Sequence, residues 1–138
     1  MNKNNIKILL TGSCNYEDRV KVEKILYNLH TKYKDRIIYA TRDSKCGAEL
    51  IIGNFLKKLY EPYFKFEVRQ NSSVKNSLIL SSIKYDKRLY AWRDDRCIKW
   101  ADKIIYFLNT EIQQDREEYI RFRKAVKSKK KKIYLIKY

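Results

Sequence analysis

Small and polar residues directly follow the first apolar run of the chain, where they could bind an anion. Residues 6–10 have the length of a strand, and Thr11, Gly12 and Ser13 come next. Such small residues permit a tight turn and let a ligand approach the backbone. If Ser13 or Asn15 caps the helix that follows, its first N–H groups point outward and favour phosphate or carboxylate. The pattern predicts an anion-binding corner, with an ordinary turn that binds nothing as the alternative.

Two charged residues further along, Glu49 and Arg93, are candidates for the same site. Glu49 would be the acid or base of a glycosidic cleavage, or the acceptor for a ribose hydroxyl. The sequence secures no second carboxylate beside it, so binding is favoured over catalysis. Arg93 offers a fork for phosphate, with a solvated, salt-bridged helix face as the alternative.

The three cysteines, Cys14, Cys46 and Cys97, are widely spaced and contain no CxxC pair, and His30 is the single histidine. This argues against a zinc site, and we predict no metal and no cofactor. Free thiols in a reducing compartment are the expectation. A redox pair of Cys14 and Cys46, or nucleophiles at helix N-termini, are alternatives to the favoured interpretation that both are small residues reshaping a pocket.

The composition favours one globular domain over residues 1–138. Of these residues 44% are hydrophobic, and no apolar run approaches the roughly 18 to 20 residues of a membrane span. The N-terminus lacks the pattern of a signal peptide, so we expect a cytoplasmic protein with no membrane partner. The formal net charge of +16 attracts polyanions, whether nucleotides, nucleic acid or an acidic partner, although AT-rich codons are an alternative source of the lysines.

Strands and helices alternate along the chain. Apolar runs predict strands over 6–10, 37–40, 64–68, 103–108 and 133–136, and helical spacing predicts helices over 16–33, 45–60, 88–101 and 111–126. Residues 69–90 read as a long loop, with a short helix over 74–83 as an alternative. The order predicts an α/β fold: a single Rossmann-like, doubly wound, mainly parallel five-stranded sheet with helices on both faces.

Aromatic and basic residues suggest further surfaces. Tyr16, Tyr85, Tyr90 and Trp92 lie near the expected mouth and could stack on bases, whereas the tyrosines within strands, Tyr39, Tyr106 and Tyr134, and the helical Trp100 read as core. The basic run 127–132 enters the last strand, at the sheet end opposite the site. A solvated turn is favoured there over a nucleic-acid contact.

Three segments in this order, ILLTGSCNYEDR, CGAE and RDDRCIKWADKIIYF, resemble the YspA-like (DUF2493) branch of the SLOG superfamily over nearly the whole chain. The resemblance implies a Rossmann-like domain that binds nucleotides or nucleotide-derived ligands, with relatives among LOG-type nucleoside-phosphate hydrolases and single-strand-binding DprA proteins. The positions that match its motifs are Thr11, Gly12, Tyr16, Asp18, Arg19, Gly47, Ala48, Arg93, Ala101 and Asp102.

Departures from the family pattern affect catalysis more than binding. Cys14 and Cys46 stand where the family usually has arginines, and Glu49 replaces an aspartate. Asp43 and Ser44 take the place of a glycine pair. Residues 109–110 occupy the position of a PGGxGT segment, so the catalytic loop of LOG-type hydrolases is absent.

We therefore predict binding of a phosphorylated nucleotide-derived ligand, for sensing or sequestration, at the carboxyl ends of the sheet. The alternatives are a LOG-like hydrolase that uses Glu49 and a protein that binds single-stranded nucleic acid through its basic surface. Pairing into a homodimer stays open. The predicted ligand-binding residues are Thr11, Gly12, Ser13, Tyr16, Arg19, Arg42, Ser44, Gly47, Glu49, Trp92, Arg93, Asn109 and Thr110.

Overall fold

The structure, a computed structural model, describes residues 5–42, 46–59, 61, 63–66 and 87–137. A short 3₁₀ turn, Lys34–Arg36, precedes the second strand. The other elements in chain order are β1 (Ile6–Gly12), α1 (Arg19–Tyr33), β2 (Ile37–Arg42), α2 (Gly47–Lys58), β3 (Tyr63–Phe66), α3 (Lys87–Trp100), β4 (Lys103–Leu108), α4 (Gln113–Ser128) and β5 (Ile133–Lys137).

The strands form a parallel sheet in the order β3-β2-β1-β4-β5. Leu9 of β1 pairs with Ala40 of β2 on one side and with Ile104 of β4 on the other. The outer pairs, β2 with β3 and β4 with β5, are also parallel. The predicted α/β class with a parallel sheet is confirmed, and β3 and β5 are its edge strands. The chain places β2 and β3 on one side of β1, and β4 and β5 on the other side. The strand order therefore reverses between β1 and β4, as in doubly wound folds.

The two faces of the sheet carry separate apolar cores, because neighbouring residues of a strand point to opposite faces. Ile8 and Leu10 of β1 belong to the core that includes Val22 and Leu26 of α1 and Ile52 and Leu56 of α2. Leu9 belongs to the other core, with Ile98 of α3 and Phe122 and Val126 of α4. Helices therefore cover both faces, α1 and α2 on one and α3 and α4 on the other.

The first helix begins later than the sequence suggested. Asp18, and not Ser13 or Asn15, is the N-cap of α1, and its carboxylate accepts a 3.1 Å hydrogen bond from the Lys21 backbone N–H. Tyr16 precedes the helix and is buried in the core. Val20 is 77% exposed, and the first buried apolar residue of α1 is Val22.

The four aromatic residues that were predicted to be core lie there with one exception. Tyr39 and Tyr106 are buried in the core, and Trp100 packs against it. The prediction that Tyr134 is a core residue is wrong: its side chain is 49% exposed, because β5 is an edge strand with one face open. The predicted loop over 69–90 lies outside the described residues except for the start of α3.

Two lysines of the basic run 127–132 make contacts with α3 and the residues that follow it. The Lys131 ammonium donates to the Ile98, Lys99 and Ala101 carbonyls, at 2.7, 2.7 and 2.5 Å, and so caps the end of α3. The Lys129 ammonium lies 2.5 Å from an Asp95 carboxylate oxygen. A fully solvated turn is therefore a wrong description of this segment. Within the described part of the chain, no helix has the length and apolar character needed to span a membrane.

Candidate functional site

Ser13 joins three βα turns at the carboxyl edge of the sheet. Its N–H donates to the Phe107 carbonyl at 2.9 Å, and its carbonyl accepts from the Tyr16 N–H at 3.2 Å and the Ala48 N–H at 3.1 Å. Its hydroxyl accepts from the Asn109 N–H at 3.1 Å. The turns after β1, β2 and β4 are thus tied together by protein groups. At the predicted anion-binding corner, the N–H, carbonyl and hydroxyl groups of Ser13 therefore already have hydrogen-bond partners within the protein.

Two glycines are required here by close packing. A Cβ on Gly12 would collide with the Phe107 carbonyl oxygen and lie 2.8 Å from the Ala48 Cβ. Gly47 has φ of +59°, and a Cβ there would collide with the carbonyl oxygens of Ser13 and Cys14. The expectation that Gly12 lies where a ligand approaches is therefore corrected, because its open side is filled by β4 and α2.

A disulfide joins the turn after β1 to the turn after β2. Cys14 and Cys46 are bonded, with Cα atoms 5.0 Å apart. The expectation of free thiols is wrong for these two residues, since docking of the two turns brings together cysteines that are distant in sequence. Cys97 is free and buried, and burial raises the pKa of its thiol to about 12. Cys97 is therefore a poor nucleophile.

A buried ionic cluster lies beneath the turns and joins β1, β2 and α2. The Arg42 Nε donates to the Thr11 hydroxyl at 2.5 Å, and that hydroxyl donates to the Glu49 carboxylate at 2.8 Å. The same Glu49 oxygen accepts from the Arg42 backbone N–H at 2.8 Å. Since Glu49 is only 5% exposed and its Oε2 is held by these donors, the geometry gives it a positioning role and does not favour the catalytic one.

The far end of the Arg42 guanidinium contacts α3 and α4. Its Nη1 lies 3.4 Å from Asp94 and its Nη2 3.0 Å from Glu118, while its carbon lies 5.0 Å from the Phe122 ring centroid. Arg93 is buried next to this group, with its Nε 3.2 Å from the same Asp94 oxygen. Arg42, which was predicted to bind the ligand, is thus held by carboxylates of the protein.

The pKa values of the cluster show competing effects. Burial raises the pKa of Glu49, and the Arg42 charge and the Thr11 hydrogen bond oppose that rise without cancelling it. Burial lowers the pKa of Arg42, but Asp94, Glu49 and Glu118 outweigh it and raise that pKa well above its ordinary value. Arg42 is therefore charged at every pH at which the protein is folded.

The turn after β4 carries a second polar group. The Asn109 side chain donates to the Asn15 carbonyl at 2.8 Å and accepts from the Glu111 N–H at 2.9 Å. The Asn15 side chain in turn donates to Asp115 Oδ1 at 3.2 Å. Asp115 is 3% exposed, and its Oδ2 has no hydrogen-bond partner among the described residues. Burial raises the pKa of Asp115, Asn15 lowers it, and Glu118 raises it further.

The other predicted ligand residues lie in different surroundings. The Tyr16 ring packs edge-on against Phe107, 5.5 Å between centroids, so its prediction as a stacking surface is wrong. Arg19 points away on α1, where it pairs with Glu23 at 2.7 Å. Trp92 of α3 is 41% exposed, and the Arg96 guanidinium lies 4.7 Å from its ring centroid. The Thr110 carbonyl accepts from Arg116 at 2.6 Å, and Ser44, Tyr85 and the Tyr90 side chain lie outside the described residues.

The structure brings together Thr11, Arg42, Glu49 and Arg93, and it adds acidic residues that sequence reasoning missed. Asp115 and Glu118 lie on the sheet-facing side of α4. Their signal was their helical spacing from the buried Phe122, since Asp115 lies seven residues and Glu118 four residues before it. Within the described ranges, no group of three or more His, Cys, Asp or Glu side chains is arranged to hold a metal ion.

Comparison of the chain with protein-family models, with curated proteins and with solved structures finds no match.

Proposed function

We propose that this protein binds a nucleotide-derived small molecule above the β1 and β4 strand ends, for sensing or sequestration. The topology supports this position, because open parallel sheets bind ligands outside the carboxyl ends of the strands where the strand order reverses. In this chain that place is flanked by the turns that follow Gly12 and Leu108.

One observation carries the proposal: Asp115 Oδ2 is a buried carboxylate oxygen at this edge with no partner among the described residues. A buried acceptor without a donor is costly, and polar groups of this kind are normally satisfied by protein, water or ligand. Its chemistry fits a hydroxyl or amine donor, such as a ribose hydroxyl or the exocyclic amine of a base.

The surrounding charges indicate which part of the ligand lies here. The carboxylates Glu49, Asp94, Asp115 and Glu118 outnumber the guanidinium groups of Arg42 and Arg93. An acidic surrounding favours hydroxyl and amine donors over a phosphate. We therefore place the nucleoside portion over Asp115, the base against the exposed Trp92 ring, and the phosphates toward solvent, where the net charge of +16 attracts them.

The test is a binding screen with nucleosides, nucleoside mono- and diphosphates and cyclic dinucleotides at 1 mM, by thermal shift and calorimetry. We expect at least one member to raise the melting temperature by several degrees, since ligand at about 100 times its Kd stabilises by about 2.7 kcal/mol. Absence of any shift across the panel would contradict the proposal.

A variant locates the site. Asp115→Asn should weaken the best ligand about 10- to 100-fold, because a hydrogen bond to a charged group contributes about 1.5 to 3 kcal/mol. Glu111→Gln is the matched control, since Glu111 is an exposed carboxylate in the turn just before α4 and should leave the affinity unchanged. Equal affinity in wild type and Asp115→Asn would show that the ligand binds elsewhere.

A further inference from the structure

We propose that the Cys14–Cys46 bond is a reversible thiol–disulfide exchange site whose substrates are dithiols and small disulfides. The bond lies at the carboxyl edge of the sheet, where it joins the turns after β1 and β2. This inference does not depend on the proposed nucleotide-derived ligand.

The two cysteine residues differ in exposure. Cys14 lies in an exposed turn, whereas Cys46 is half-buried beside the start of α2. Exchange begins with attack of a thiolate on one sulfur of the disulfide, so access decides which sulfur is attacked. The geometry therefore makes Cys14 the attacked residue and Cys46 the leaving group.

The position of Cys46 suits that role. It is the N-cap of α2, directly before the first helical residues, and it makes no side-chain capping hydrogen bond. A helix N-terminus stabilises a nearby thiolate, and a more stable thiolate leaves faster. Glu49 in the first turn of the same helix opposes a negative charge, but its carboxylate is paired with Arg42 and Thr11.

The reaction balances with a dithiol as reductant. Its first thiolate forms a bond to Cys14 Sγ, the Cys14–Cys46 bond breaks, and the electron pair stays on Cys46 Sγ, which takes a proton from solvent. The second thiol of the reductant then loses its proton and attacks the reductant sulfur that is bound to Cys14. The bond to Cys14 Sγ breaks, Cys14 takes up a proton and leaves as a thiol, and the reductant is released as a cyclic disulfide. Two electrons pass to the protein, and a small disulfide such as oxidised glutathione drives the reverse reaction.

The fold supports cycling because the turns are docked by other contacts as well. The Ala48 N–H donates to the Ser13 carbonyl at 3.1 Å, and Gly47 packs directly against the backbone of Ser13 and Cys14. These contacts do not need the disulfide. Reduction should therefore leave the two cysteines close together, ready to be oxidised again.

The first experiment uses the oxidised wild-type protein under native conditions. It is treated with dithiothreitol, quenched with acid at intervals, alkylated and analysed by peptide mass spectrometry. We expect Cys14 and Cys46 to become alkylatable together, at least 100-fold faster than the buried Cys97, which is the internal control. Added oxidised glutathione should restore the bond while circular dichroism shows a folded protein throughout.

The second experiment identifies the attacked sulfur. Reduced glutathione replaces dithiothreitol, and the mixed disulfide is trapped by rapid acid quench. We expect glutathione on Cys14 at least tenfold more often than on Cys46. A disulfide that opens only in denaturant, a reduced protein that oxidised glutathione does not re-form, or an adduct found mainly on Cys46 would each overturn the proposal.

Discussion

At the scale of single residues, the end of β1 shows that close packing and ligand binding both require small residues. Glycine and serine after an apolar strand are typical of a phosphate-binding turn. In this protein Gly12 leaves room for the Phe107 carbonyl, and Ser13 binds the turns after β2 and β4. Both roles need small residues, so the residue types alone do not distinguish them.

This role of Gly12 is tested by comparing two glycines. Gly12→Ala should lower the free energy of unfolding by about 2 to 3 kcal/mol, as overpacking against backbone does. Gly53→Ala is the control, because its Cβ would meet the Tyr63 side chain, whose hydroxyl lies 2.8 Å away, and not backbone. Alanine also gains about 1 kcal/mol of helix propensity, which offsets this contact. Urea denaturation measures both, and equal stability of the two variants would contradict the packing role.

Glu49 allows a test of charge burial. Folding raises its pKa above 4.5, so the fold favours the uncharged form. The resulting stability is present below the unfolded-state pKa and is lost as the pH rises through the folded-state pKa. Each unit by which the fold raises the pKa corresponds to about 1.4 kcal/mol.

The measurement is the difference in unfolding free energy between wild type and Glu49→Gln at pH 4 and pH 7. We expect wild type to lose stability relative to the variant as the pH rises. Taking the difference cancels carboxylates common to both proteins. A difference that instead moves in favour of wild type at pH 7 would show that pairing with Arg42 outweighs burial.

At the scale of elements, the pattern of apolar residues predicted the positions of strands and helices that pack against a core. The strand β4 matches its predicted bounds, and the helices α2 and α3 match within two residues, because apolar residues at period 2 or 3.6 must face a core. The start of α1 was misplaced, since Ser13, Asn15 and Asp18 are all competent N-caps and only the burial of Tyr16 selects Asp18.

The candidate site was less predictable than the fold. Thr11 was found because it lies at the end of β1, Glu49 because it lies in the first turn of α2, and Arg93 because it matches a motif of the resemblance. The Cys14–Cys46 pairing and the contact of Glu118 with Arg42 depend on how distant elements dock, with separations of 32 and 76 residues. Local patterns carry no information on contacts at that separation.

The end of α4 gives a prediction about a helix cap. The Lys131 N–H donates to the Val126 carbonyl and the Lys130 N–H to the Lys127 carbonyl, the two bonds of a Schellman motif. Lys130 has φ of 57°, a left-handed conformation that disfavours a residue with a Cβ. Lys130→Gly should therefore raise the free energy of unfolding by about 0.5 to 1 kcal/mol.

Lys132→Gly is the matched control for the same charge change. Lys132 is also exposed, but its backbone φ is not positive, so glycine there should give no gain. Thermal and urea denaturation at fixed ionic strength measure both variants. Stabilisation of both by the same amount would point to relief of charge repulsion and contradict the role of the cap.

At the scale of the whole molecule, charge is unevenly distributed. The carboxyl-edge cluster is acidic, while the second half of α4 and the following turn are basic and largely open to solvent. The exposed basic residues of that region are Arg121, Arg123, Lys124, Lys127, Lys130 and Lys132. Nucleic-acid binding through this surface and formation of a homodimer stay predictions.

The net charge of +16 on 138 residues leads to a last prediction, on the dependence of stability on salt. A net charge far from zero destabilises the compact state by self-repulsion, and salt shortens the Debye length from about 30 Å at 0.01 M to about 10 Å at 0.1 M. Exposed ion pairs such as Arg19 with Glu23 oppose this trend only weakly, because solvent screens their attraction and ordering two long side chains costs entropy. We expect the melting temperature to rise by about 4 °C or more between these concentrations, since about 1 kcal/mol corresponds to such a shift in a domain of this size. Sodium chloride and choline chloride should act equally, because screening depends on ionic strength, whereas an unchanged or falling melting temperature would mean that attraction between paired charges dominates the molecule.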